Sequence, residues 1–322
     1  GLNFAASTVG GALTATATTG NITQSGALAI TGTSTLTTSA SNADITLGNA
    51  SNAFTGAVTL STTGSTANAT VDGGTTALDI AASSVGGNLT LTSGHASGIT
   101  DSGTVTVGGN LAATTDANDG VISLGTLAVD GTIALTTNGN GAALVVNDAG
   151  LNFAASTVGG ALTATATTGN ITQSGALAIT GVTTLAADSS NNITLNNASN
   201  NFQGAVRITS GNNVTLVDAN AIDLGASTVS GTYAVTATAG GDITDSGVLA
   251  ITGTSTFTVA NGQSVILDEA STFATVTFTS AGTIASVTIN DSNALDLGAL
   301  TLSGNLNVTA GGAVTDSGTL VV

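Results

Sequence analysis

The residues able to do chemistry are few. The chain has a single His, His95, in Thr92-Ser93-Gly94-His95-Ala96-Ser97-Gly98, and a single cation among Lys and Arg, Arg207. It has no Cys, so a thiol nucleophile, a thiolate metal site and a disulfide are all excluded. A hydrolase triad has only His95 to draw on, and its flanking Gly and Ser read as an exposed turn. Carboxylates recur in two phrases. Thr-Asp-Ser-Gly turns hold Asp101, Asp245 and Asp316, with Gln24 and Gln173 in the other copies. A required metal ligand is not replaced by an amide, so these read as turns organised by their own side chains. Asp79, Asp223 and Asp296 recur too far apart to form a glycosidase pair. Asp218 with Asp223, and Asp291 with Asp296, offer oxygens for at most a weak Ca²⁺ site and lack a calcium-repeat pattern. The Gly-rich stretches precede no helix and so make no phosphate cradle. The expectation is a protein that is not an enzyme and needs no cofactor.

The elements that would carry these residues follow from composition and repetition. Of 322 residues, 6% are charged and 2% aromatic, 41% are hydrophobic, 44 are Gly, and Pro, Met and Trp are absent. The net charge is −17 with one cation, which leaves nothing to neutralise a phosphate backbone or an anionic membrane surface. No 18-residue apolar run exists, and alternations of about five residues with one Tyr do not make a membrane barrel. Residues 1–32 and 150–181 are identical, 149 positions apart. The triplets Leu2-Asn3-Phe4, Leu78-Asp79-Ile80, Leu151-Asn152-Phe153, Ile222-Asp223-Leu224 and Leu295-Asp296-Leu297 mark a period at spacings of 76, 73, 71 and 73. They divide a single solenoid segment, 1–322, into superrepeats 2–77, 78–150, 151–221, 222–294 and a partial 295–322.

A finer rhythm lies in apolar-Thr-apolar-Thr segments, whose outward positions are Thr14/Thr16, Thr35/Thr37, Thr59/Ser61, Thr90/Thr92, Ala112/Thr114, Ala134/Thr136, Thr163/Thr165, Thr184/Ala186, Arg207/Thr209, Ala234/Thr236, Thr256/Thr258, Thr277/Thr279 and Asn307/Thr309. Two short steps and one long step recur. Each unit is too small to bury a core alone, and stacking closes the deficit. The reading is all-β: a right-handed parallel β-helix (β-solenoid) of about 13 coils of 21–31 residues, in three-coil superrepeats. The Thr pairs should form one outward ladder. Leu13, Leu36, Val58, Leu89, Leu111, Ile133, Leu162, Leu185, Val206, Tyr233, Phe257, Val276 and Leu306 should form one inward column. Phe54 and Phe202 should be equivalent, six coils apart, with Phe273 three coils further. The long units should bulge near 81–87, 154–160, 225–231 and 298–304. Gly and Asn should supply positive φ at the corners.

The phrase Ile45-Thr46-Leu47-Gly48-Asn49-Ala50-Ser51-Asn52-Ala53-Phe54-Thr55-Gly56-Ala57-Val58 returns around Ile193–Val206 and, shortened, from Val265 to Val276. It resembles repeats of the filamentous-haemagglutinin-like and related β-strand-repeat adhesins of bacteria. That resemblance implies a β-helical shaft at the cell surface or in a secreted matrix, serving adhesion or biofilm, with no catalytic residues. The alternative is a ligand-binding solenoid whose Thr face takes ice or glycan. Gly1 falls within a repeat and the terminal strands lack charge or Pro, so the expectation is an excerpt of a longer array or self-association end to end through β-pairing.

Overall fold

Thr, Val, Ile and Leu in alternation favour strands, and Gly, Ser and Asn punctuate them every three to eight residues. The computed structural model describes residues 1–322. It is an all-β solenoid of about 15 turns, built from stacked parallel strands with no helix. No helix is therefore long and apolar enough to cross a membrane. The chain divides into two compact units, Gly1–Thr163 and Ala164–Val322.

In the first unit one sheet runs through Leu2–Phe4, Ile22–Gln24, Ile45–Leu47, Ala69–Asp72, Leu89–Ser93, Leu111–Asn118, Thr132–Asn138 and Leu151–Phe153, each strand pairing in parallel with the next. A second sheet takes the other side of each coil, through Leu13–Ala17, Ser34–Ser41, Val58–Thr63 and onward to Ala143–Asn147. Going from Leu2 to Leu151 passes seven coils, so the 149-residue identity is seven coils and the superrepeat is three and a half. Leu2–Phe4 lies in the first sheet, Leu78–Ile80 in the second, and Leu151–Phe153 in the first again. In the second unit Ile222–Leu224 and Leu295–Leu297 likewise lie in different sheets.

This overturns the count of about 13 coils. The long step between Thr59 and Thr90 is not one swollen coil. It is one coil plus the passage to the other sheet, and the straight Thr-bearing strand then continues there. Nothing bulges at 81–87, 154–160 or 225–231: these segments contain the short strands Ser83–Val85, Ser156–Val158 and Ser227–Val229. At 298–304 the strand is Leu300–Thr301.

At each switch a straight strand meets a bent side made of two short strands. Val58–Thr63 pairs with both pieces, Val58 against Ile80 and Ser61 against Ser84. The N–H of Leu60 falls at the bend and is left without a ladder acceptor. The Ser83 hydroxyl accepts it at 3.0 Å and donates to the Ala81 carbonyl at 2.8 Å. Ser156 does the same for Leu135, at 3.1 and 3.0 Å, and Ser227 for Ile208, at 3.1 and 2.8 Å. The repeated Ala-Ser-x-Val after the Asx triplet is thus a bend-capping phrase.

The core is narrow. The predicted inward residues are buried except Leu13 and Leu306, but they lie in two sheets rather than one column. Leu36 pairs with Ala15 rather than Leu13, and Phe257 with Val235 rather than Tyr233. Close stacking also sets the corner chemistry. Gly98 has φ +65°, and a Cβ there would meet the Val121 carbonyl oxygen of the next coil at 1.7 Å. Among non-Gly residues only Asn42 and Asp119 adopt positive φ, each at 60°. The other corner Asn residues must act differently.

In the second unit Tyr233 is fully buried edge-on to Phe257, 6.2 Å between centroids, and Phe257 stacks on Phe278 at 6.0 Å. Burial raises the Tyr233 hydroxyl above its ordinary pKa, and the group points toward Ser227, whose hydroxyl is already committed to Ile208 and Gly225. Its oxygen makes no hydrogen bond of ordinary geometry. Tyr233→Phe should therefore raise stability, by about 1 kcal/mol in denaturant unfolding, since it removes a buried unsatisfied group and keeps the ring.

Candidate functional site

The predicted Thr ladder does not run along one face. Thr14, Thr35 and Thr59 stack in register in the second sheet, with Thr16, Thr37 and Ser61 beside them. Thr90 and Thr92 lie in the first sheet, between Thr70/Asp72 and Ala112/Thr114. Thr163 and Thr165 sit on Leu162–Ala166, half-buried. In the second unit Thr256 pairs with Thr277 and Thr258 with Thr279, the latter two hydroxyls 2.6 Å apart. The ladder is broken because the straight strands change sheet every three and a half coils.

A different column emerges. In the first sheet Thr23, Thr46, Thr70 and Thr90 stack in register over successive coils. Two residues earlier in each strand entry stand Asn21, Asp44, Asn68 and Asn88. They form a continuous side-chain ladder: each Oδ1 accepts the backbone N–H of its equivalent one coil on. Asp44 N–H donates to Asn21 at 3.0 Å, Asn68 to Asp44 at 2.8 Å, Asn88 to Asn68 at 2.8 Å, Asn110 to Asn88 at 2.8 Å and Thr132 to Asn110 at 2.8 Å. The second unit repeats it through Asn170, Asn192, Asn213 and Thr232, at 2.8, 3.1 and 3.0 Å. These acceptors satisfy N–H groups at the corner, where the strand ladder has not begun. The Asx that precedes the apolar strand start in most coils, often as Asx-x-Thr, is the available signal in the sequence.

Inside the bends a second set of polar side chains caps strand starts. Asn52, 1% exposed, accepts the Leu28 N–H at 2.9 Å and donates to the Leu47 and Asp72 carbonyls at 3.2 and 3.1 Å. Its amide also pairs reciprocally with Gln24, at 2.8 and 3.0 Å. Asn200 and Gln173 reproduce this at 2.8 and 2.9 Å. The N–H of Phe54 donates to Thr76, of Val129 to Asn147, and of Phe202 to Asp218. Phe54 and Phe202, in register on Ile30 and Ile179, thus share one kind of position, seven coils apart rather than six, and Phe273 is buried as well.

The carboxylates divide between these roles. Asp101 accepts three hydrogen bonds, from Gly125 N–H at 2.9 Å and from the N–H and hydroxyl of Thr126 at 2.7 and 2.8 Å. Asp245, in the same phrase, accepts from Asp268 N–H at 2.9 Å through Oδ1, and its buried Oδ2 has no partner. Burial first, and then the charges of Asp268 and Glu269, push its pKa up to about 7. Burial also raises Asp218 and Asp291. Asp316 is exposed. Asp218 faces the Phe202 and Asn220 N–H groups, whereas Asp223 bonds the Ser246 hydroxyl at 2.8 Å, so the two do not converge. Asp291 is buried and accepts from Asn293, while Asp296 accepts from Thr315. No group of three or more His, Asp or Glu is placed to hold a metal ion. His95 is exposed, and its Nδ1 accepts the Ser97 N–H at 3.0 Å, closing its turn. The Arg207 stem lies across Gly225.

Five segments, 1–61, 66–121, 141–209, 211–280 and 284–322, match a family described as repeats of unknown function (DUF5649). The chain belongs to this family. Five matches agree with the five Asx triplets, so one DUF5649 repeat corresponds to three and a half coils. No curated protein and no solved structure matches the chain. In DUF5649 terms, the Ala-Ser-x-Val phrase is the point at which one repeat hands the bend from one sheet to the other.

Proposed function

We propose that these DUF5649 repeats form a non-enzymatic structural shaft of a bacterial extracellular fibre or giant surface adhesin. The observation that carries this reading is the investment of polar side chains in coil-to-coil bonding. The Asn21-to-Thr132 ladder and the Asn52 and Ser83 caps all reach from one coil to the next. What remains outward is largely hydroxyls and amides, in a chain of which only 6% is charged, suited to a spacer that adheres to little along its length. The resemblance to haemagglutinin-like repeats supports the surface location. Removing 149 residues, seven coils, from the parent protein should shorten a surface fibre by about 34 Å at about 4.8 Å per coil, measured by electron microscopy of labelled cells. Absence of the chain from the cell surface by antibody labelling and protease shaving would sink the proposal.

A second reading is favoured by the stacked Thr23, Thr46, Thr70 and Thr90, flanked by amides. Such a face offers hydroxyls at coil spacing to ice or to a glycan. Thermal hysteresis in the purified chain, lost on Thr46→Leu with Thr70→Leu, supports it. No hysteresis and no glycan-array binding by the unaltered chain removes it.

A further inference from the structure

We propose that the unit 164–322 is reinforced by protons: Asp245 and Asp291 each bury a carboxyl oxygen without a hydrogen-bond donor, at positions that unit 1–163 fills with neutral or fully bonded groups, so this unit tightens in acid and loosens toward alkaline pH. The comparison is position by position. Strand-start N–H groups are accepted by Thr76 and Asn147 in the first unit and by Asp218 in the second. Asp291 stands in the same relation to Phe273, whose N–H approaches it. Both carboxyls are 0% exposed. Asp218 spends its two oxygens on the N–H groups of Phe202 and Asn220, each at 2.7 Å. Asp291 holds Asn293 at 2.9 Å through Oδ1 and leaves Oδ2 buried without an ordinary hydrogen bond. The third case is a substitution in the facing coil. Where Thr126 gives Asp101 a hydroxyl donor as well as its N–H, Glu269 offers Asp245 only a backbone N–H, at 3.5 Å. Asp245, 8% exposed, keeps an orphaned oxygen as a result.

No cation offsets these groups. Asp218 lies between Asn200, Asn201 and Phe202 of the preceding coil and Ala237 and Thr238 of the next. Asp245 lies between Leu224, with Asp223 beside it, and Asp268 and Glu269. Asp291 lies between Ser271 and Ala310, with Asp268 and Glu269 on the strand that holds Ser271. A proton on Asp245 neutralises the orphaned, buried oxygen and removes a like charge beside Asp268 and Glu269. The folded pKa values are raised, so the native state binds more protons than the unfolded chain. Stability is then highest in acid and falls as pH rises from the ordinary carboxyl value, 3.8, through about 7 for Asp245.

Backbone amide exchange of the whole chain, corrected for intrinsic rates, tests this at about pH 5 and about pH 8.5. Peptides spanning 243–272 and 285–295 should lose protection at the higher pH, by about tenfold or more around Asp245, the effect of one pK unit. Peptides spanning 20–120 should change little. D245N and D291N combined should abolish the difference and keep protection at the higher pH. Equal pH dependence in both units, or its survival in the double variant, overturns the proposal. If the double variant does not fold, D245N alone and a ¹³C-carboxyl titration of the unaltered chain decide. At least one Asp should titrate above about pH 6, and all titrating near the ordinary value overturns the proposal.

Discussion

Asn52→Leu should cost about 3–5 kcal/mol in denaturant unfolding, although leucine matches asparagine in size and the site is a buried one. The loss is not of hydrophobic contact. Leu28 N–H loses its acceptor, and the Leu47 and Asp72 carbonyls lose their donor. The Gln24 amide, which pairs with Asn52 in both directions, is left facing an alkyl group. Each buried polar group left unpaired costs about 1–3 kcal/mol, and several fail at once. Asn52→Asp at neutral pH keeps the acceptor for Leu28 but sets a buried charge against the Leu47 and Asp72 carbonyls, so it should cost no less, and part of that cost should vanish in acid. A cost for Asn52→Leu below about 1 kcal/mol would show that water enters the bend and replaces the amide.

Phe202→Ala should cost about 3–5 kcal/mol, the range for emptying an aromatic site in a packed core. The ring is 2% exposed and lies in register on Ile179 of the preceding coil. A solenoid core is one coil thick, so no second layer can collapse into the gap. Because only neighbouring coils touch, the damage should be local, with amide exchange rising near 177–220 and not near 250–290. Uniform loss across the second unit would show that its coils unfold as one cooperative block.

The repeats and the alternation of Thr with apolar residues make the solenoid legible in the sequence. The coil count is not legible there, because the spacing of similar phrases is not the pitch. Thr59 and Thr90 carry the same local pattern but belong to different sheets, and only pairing reveals it. Corner Asn residues suggested positive φ; most of them are acceptors one coil away, a relation about 22 residues distant along the chain. The contrast between Asp101 and Asp245 was hidden for the same reason. Their Thr-Asp-Ser-Gly phrases are identical, and the difference resides in Thr126 and Glu269, each in the following coil.

The half-coil remainder in each repeat sets the phase of everything downstream. Gaining or losing one repeat by unequal recombination adds or removes three and a half coils, and each later motif then emerges from the opposite sheet. Two repeats restore the phase, as the identical residues 1–32 and 150–181 illustrate. An array of such repeats therefore presents every motif alternately on its two sides. Within one side the identical surface recurs only after seven coils, roughly 34 Å. A partner that grips one motif meets it on both flanks of the array at staggered heights, so it can bridge parallel neighbours, whereas changes in repeat number by two leave the order of flanks untouched.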